Sequence, residues 1–202
     1  MIVNQDDVET PWIKANCNIY NVEWFKNNYY KYERVIYQFG NSHLHAYMFD
    51  LIKLVPGVVV LHDFFLGHVT EYMGAISGNE FTWPKSLYES HGYPALYDRY
   101  HADISQIAWK YPSNLGVLQN SLGIIVHSEF SKTLAKQWYE ANSIDNWSVI
   151  PHLRLPVKAA DKAEARKRLG IDRNDFIVCS FGFLGAAKCN LELIHAWQRS
   201  EL

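Results

Sequence analysis

The chain has 202 residues, with 19 Lys and Arg against 21 Asp and Glu for a formal charge of −2, and 49% of its residues are hydrophobic. A length in this range allows one domain with a remainder or two small ones. The near-neutral balance and lack of basic blocks exclude the electrostatic footprint of nucleic-acid or anionic-membrane binding and point to a small-molecule or glycan partner. The N-terminal stretch MIVNQDDVET holds no apolar leader, and every apolar run is far below the ~20 residues a bilayer span requires. Cys17, Cys179 and Cys189 are odd in number and without CxxC spacing, which suits a reducing compartment, so a cytoplasmic protein is expected.

In chain order, short β-rich runs alternate with amphipathic stretches, the pattern of a parallel sheet with crossover helices. Arg34–Phe39 reads as a strand ending at the Gly40-Asn41 turn. Leu44, Tyr47, Met48, Leu51, Ile52 and Val55 then recur at helical spacing, with Ser42 or Asn41 as N-cap and Pro56-Gly57 as the stop. Val58–Asp63 opens with four apolar residues, the pattern of a strand buried on both faces, and emerges at His62-Asp63. Residues 64–122 read as helical, broken at Gly78, Gly92-Tyr93-Pro94 and Tyr111-Pro112-Ser113.

Gly123–Ser128 predicts a third strand, followed by a helix with Ser128 at its N-cap, and Trp147–His152 a fourth. Residues 153–174 are polar and Ala/Lys-rich and read as a connection with a short helix ending at Gly170. Asp175–Leu184 predicts one more strand, with a Gly-containing turn and a helix from Asn190. The expected organisation is thus a Rossmann-like α/β domain over 1–152, a linker over 153–174, and the opening βα unit of a second Rossmann-like domain over 175–202.

Ligands of doubly wound sheets bind beyond the carboxyl ends of the strands. That rule selects Gly40, Asn41, His43, His62, Asp63, His127, Ser128 and His152. Imidazoles at three strand ends suit recognition of sugar hydroxyls, and each can equally satisfy a strand-end backbone group or cap a helix. Gly182, Gly185 and Lys188 lie between a predicted strand and helix, where free N–H groups and one ammonium can hold a diphosphate. The same residues also read as an ordinary βα turn with a solvated lysine. His43, His45, His62, Asp63 and His68, completed by Asp98 or Asp103, can be read as the metal ligands of an HD-type phosphohydrolase. Such sites sit on packed helices, whereas His62-Asp63 ends a strand.

The ordered segments PGVVVLHD, GIIVHSEFSK, VIPH, RKRLG and FIVCSFGFLGAAK resemble the two-domain GT-B glycosyltransferases of family 4, or group 1, over roughly Tyr37 to Ala196. In that family an N-terminal domain holds most of the acceptor and a C-terminal one the nucleotide-sugar donor. The resemblance implies a retaining hexosyl transfer from a UDP- or GDP-linked sugar to a glycan or lipid-linked acceptor, with no metal and no cofactor besides the co-substrate. It implies that His62 and Asp63 act at the transfer centre, Asp63 fixing the tautomer of His62 or binding an acceptor hydroxyl. Gly40, Asn41, His127, Ser128 and His152 line the acceptor side, and Gly182, Gly185 and Lys188 grip the donor diphosphate. Phe183 stands where the family has arginine, which removes one of two positive contacts to that diphosphate.

The family's first strand with its Gly-rich loop and its acidic E-x7-E region have no counterpart in these segments. No transfer is therefore expected from these 202 residues alone, and self-association or a partner chain is expected at the incomplete C-terminal unit. The alternative is a non-catalytic binding module or remnant of the same fold.

Overall fold

The computed structural model describes residues 1–5, 7–140, 144–154, 159–182, 184–185 and 188–201. They divide into two compact units, Met1–Leu153 and Arg154–Leu202.

In the first unit two-residue strands β1 (Ile2–Val3) and β2 (Tyr20–Asn21) pair in parallel, with α1 (Pro11–Asn16) between them and α2 (Val22–Lys26) following. The main sheet holds β3 (Ile36–Phe39), β4 (Gly57–Leu61), β5 (Ser121–Val126) and β6 (Trp147–Val149), all parallel and in chain order. A 3-10 turn at His43–His45 and α3 (Met48–Leu54) link β3 to β4. Five helices separate β4 from β5: α4 (Gly67–Ser77), α5 (Thr82–His91), α6 (Tyr93–His101), α7 (Ile104–Lys110) and α8 (Leu115–Gln119). Helix α9 (Glu129–Trp138) leads to β6.

Strand alternation sorts the sheet into two unlike faces. Tyr37, Val59, Ile124 and Trp147 stand in one register row and are buried, as are Phe39, Leu61 and Val126 beside them. Met48, Leu51 and Ile52 of α3, Val69 of α4, Val117 of α8 and Ala135 of α9 complete that core. On the opposite face Val58, Val60 and Ile125 are only partly covered, while Ile36, Gln38 and Ser148 are exposed. The expectation that Val58–Asp63 is buried on both faces is therefore corrected. A sheet laid down in one direction, with crossovers of the usual single hand, receives its cover on one side.

The excursion between β4 and β5 has its own core of Trp83, Leu87, Ala95, Ile107, Ala108 and Tyr111. Fully buried Asn114 ties it to the sheet domain: its Nδ2 donates to the Phe64 carbonyl at 2.6 Å, and its Oδ1 accepts from the Tyr139 hydroxyl at 2.5 Å. Burial pushes the Tyr139 phenol well above its ordinary range, so it remains a donor.

In the second unit Asp161 caps α10 (Lys162–Leu169) by accepting the N–H groups of Ala163 and Glu164, and Gly170 closes it at φ 67°. The Arg166 guanidinium donates to the carbonyls of Asp172, Arg173 and Asp175, shaping the following turn. Helix α11 (Asn190–Gln198) follows, and Phe176 stacks on its Trp197 with centroids 6.0 Å apart. The strand expected at Asp175–Leu184 is not formed among the described residues of this segment. A strand exists through its ladder, and among the described residues this β-rich run has no partner strand to satisfy its N–H and C=O groups.

Candidate functional site

The carboxyl ends of β4, β5 and β6 bring three imidazoles together. Alternation carries Val58 and Val60 on to His62 and Ile125 on to His127, all on the less covered face, and the Val60–Ile125 pairing sets the two histidines at the same level. Ser148 pairs with Ile125 on that face, so the chain passes His127 at Ile150 and reaches His152 two residues later. One ring nitrogen from each of the three lies within 4.8 Å of those of the other two. His127 stacks on His152 with centroids 3.7 Å apart, and the His62 centroid lies 5.0 Å from that of His127 and 5.9 Å from that of His152.

Each of the two inner rings has a fixed partner. His127 Nδ1 lies 2.8 Å from the Ile150 carbonyl, His127 Nε2 lies 3.1 Å from His62 Nδ1, and His62 Nε2 lies 2.7 Å from Gln38 Oε1. Partial burial, then the neighbouring His127, His152 and His45, push the His62 imidazole below its ordinary pKa; Asp63 opposes this only weakly.

Asp63 is turned elsewhere, correcting the expectation that it fixes the His62 tautomer. Its Oδ2 accepts the Asn41 backbone N–H at 2.8 Å, an acceptor that closes the β3 turn. Asn41 in turn serves α4: its Oδ1 accepts the Val69 N–H at 3.0 Å, and its Nδ2 donates to His68 Nδ1 at 3.0 Å. Gly40 lets these groups close in, for a Cβ there would stand 3.0 Å from His45 Nε2 and 3.3 Å from Asp63 Oδ2. Ser128 occupies the N-cap of α9, but its hydroxyl makes no cap bond and the residue is exposed.

No family model, no curated protein and no solved structure matches the chain. The site therefore stands on its own geometry.

The HD-type ligand set does not assemble. His43 packs on Tyr72, His68 meets the edge of Trp109, and Asp98 is bound by Lys110 at 2.5 Å and by the Tyr111 hydroxyl at 2.7 Å. Among the described residues, the His, Cys, Asp and Glu side chains that converge as a ligand set are His62, His127 and His152. Sequence reasoning missed Gln38 and the Ile150 carbonyl. Gln38 was within reach, since it lies two residues after exposed Ile36 on the face that carries His62.

An open apolar cleft of about 400 Å³ runs along the β3 edge, lined by residues including Ile2, Tyr32, Ile36, Tyr47 and Gln38. It reaches the imidazole group through Gln38.

In the second unit Gly182 adopts φ 119°, and the Lys188 stem folds back to within 3.7 Å of the place its Cβ would take. The Gly185 N–H is engaged by Asn190 Oδ1 at 2.9 Å, and Asn190 is held by Ser180 Oγ at 3.0 Å. Phe183, the arginine-replacing position, lies outside the described residues. Among the described residues, no helix is long and apolar enough to cross a membrane.

Proposed function

We propose that the first unit is the acceptor-side domain of a retaining, nucleotide-sugar-dependent glycosyltransferase of the GT-B type, and that Gly182, Gly185 and Lys188 belong to its donor side. The observation that carries this reading is the delivery of His62, His127 and His152 to one carboxyl-end edge of a parallel sheet, beside the Gly40-Asn41 turn. Such an edge is where open α/β sheets bind ligands, and neutral imidazoles both donate to and accept from sugar hydroxyls.

In the reaction the acceptor hydroxyl oxygen bonds to the anomeric carbon on the face from which the diphosphate departs. The bond from that carbon to the phosphate oxygen breaks, and the hydroxyl proton passes to the departing phosphate. His62 orients the acceptor hydroxyl through Nδ1, which gives up its contact with His127 to do so. Lys188 neutralises charge on the leaving group, since the Gly185 N–H is already engaged by Asn190. The cleft ending at Gln38 suits the apolar part of a lipid-linked acceptor.

Amide and imidazole NMR shifts of the 202-residue chain, titrated with an oligosaccharide panel and with UDP- and GDP-hexoses, test the proposal. Saturable shifts are expected at Asn41, His62, His127 and Ser128 with a glycan, and at Gly182, Gly185 and Lys188 with a nucleotide sugar. Glycan shifts without any nucleotide-sugar response would replace the transferase with a binding module, and silence toward both would end the reading.

A further inference from the structure

We propose that His62, His127 and His152 form a binding site for one divalent transition-metal ion of the zinc class. The inference goes beyond the glycosyltransferase reading and does not depend on it; a bound ion would take the His62 nitrogen that the reading gives to the acceptor hydroxyl.

The hydrogen-bond chain through the two inner rings carries the argument. A backbone carbonyl can only accept, so the Ile150 oxygen assigns the proton of neutral His127 to Nδ1 and leaves a lone pair on Nε2. At the other end Gln38 Oε1 faces His62 Nε2, which assigns the proton of neutral His62 to Nε2 and leaves a lone pair on Nδ1. The two lone-pair nitrogens are 3.1 Å apart. Between neutral rings that arrangement is repulsive unless a cation sits there. Zn–N bonds of about 2.0–2.1 Å at the tetrahedral angle place ligand nitrogens about 3.3 Å apart, so little movement of these rings is needed.

The remaining features fit the same ion. One ring nitrogen of His152 lies within 4.8 Å of a ring nitrogen of each of the other two, and as an exposed residue beyond the end of β6 it can swing from its stacked position on His127 toward the ion. Gln38 and the Ile150 carbonyl are the oxygen partners by which metal-bound histidines are usually oriented. Three imidazoles select zinc, cobalt, nickel or copper over magnesium and calcium, which prefer oxygen. Asp63 accepts the Asn41 N–H and is not among the converging ligand groups, so the fourth position is left to water or a ligand hydroxyl, and an oxygen bound there would be acidified.

The test is calorimetric titration of chelator-treated protein with Zn2+ alone, with Co2+ absorption as the coordination readout. One Zn2+ per chain and visible Co2+ bands of a tetrahedral site are expected, with no response to Mg2+. His62→Ala, His127→Ala and His152→Ala should each weaken zinc by about a hundredfold, and Gln38→Leu by about tenfold, at unchanged circular dichroism. His43→Ala, on a ring that packs against Tyr72, should bind as the parent does. Absence of saturable zinc binding, or its survival in the His62→Ala/His127→Ala double variant, would overturn the proposal, and the first would mean that the rings merely share a proton. Indifference to Gln38→Leu would overturn the tautomer assignment from which it is argued, the Gln38 amide then being reversed. Zinc uptake and the glycan titration are separate measurements, so failure of either reading is recognised by itself.

Discussion

At the residue scale, chemistry is assigned by what each polar side chain is already doing. Asn41 and Asp63 help to close the β3 turn and anchor α4, whereas His62, His127 and His152 present nitrogens to one another. His91 shows the opposite, structural use of an imidazole. It packs among Tyr111, Trp138 and Tyr139, and its Nε2 accepts the N–H of Ser113, a residue at φ 51°. Burial pushes its pKa down to about 4 from 6.5. The unfolded chain therefore binds a proton below about 6.5 that the folded chain refuses, so the contribution of His91 is complete above that pH and is lost as pH falls toward about 4. Protonation also puts a donor where the Ser113 N–H needs an acceptor. Melting temperature from pH 7.5 to 4 should fall further in the parent than in His91→Gln, and parallel curves would refute the assignment. The strand-end imidazoles were legible in the sequence because alternation and the carboxyl-end rule both point to them. The partners of Asp63 and the tautomer-setting role of Gln38 were not, because they depend on which neighbouring strand and turn close against each residue.

At the element scale, two glycines near helix starts separate packing from propensity. Gly67 opens α4 where it crosses α7, and a Cβ there would lie 2.8 Å from the Ala108 Cα and closer still to its carbonyl oxygen. Backbone cannot yield as a side-chain tip does, so Gly67→Ala should cost about 1–3 kcal/mol in urea unfolding. Gly116, in the first turn of α8, meets nothing within 4 Å of its Cβ position, and Gly116→Ala should instead stabilise by about 0.5–1 kcal/mol. Equal effects at both sites would show that the α4–α7 approach is looser than described. The strands β3–β6 were legible as β-rich runs with different ends: Arg34–Phe39 shrinks to Ile36–Phe39, Val58–Asp63 becomes Gly57–Leu61, Trp147–His152 shrinks to Trp147–Val149, and Gly123–Ser128 shifts to Ser121–Val126. The paired strands β1 and β2 escaped because two residues hold no period. Residues 64–122 resisted division because helices α5–α7 bury Trp83, Leu87, Ala95 and Ile107 against one another, so their apolar positions report no single sheet-facing stripe.

At the scale of the whole molecule, the first unit has a continuous core from Phe25 through Trp147, while none of the described residues of the second is a buried hydrophobic one. In the second unit Phe176, Phe181, Leu184 and Leu191 are exposed, Phe181 to 87% and Leu184 to 86%. The run from Phe176 to Ser180 has strand-forming composition and no ladder, so its backbone groups and its apolar side chains call for the same remedy, a neighbouring strand or apolar surface from another chain. The sedimentation coefficient of these 202 residues should accordingly rise with protein concentration. Phe181→Asp/Leu184→Asp, which places charge at the two most exposed apolar positions of this segment, should hold the chain at a single slow-sedimenting species without altering zinc uptake or the melting of the first unit. A parent chain that sediments as a monomer across the whole concentration range would show that this β-rich run is content in water, and that its apolar residues have some use other than pairing.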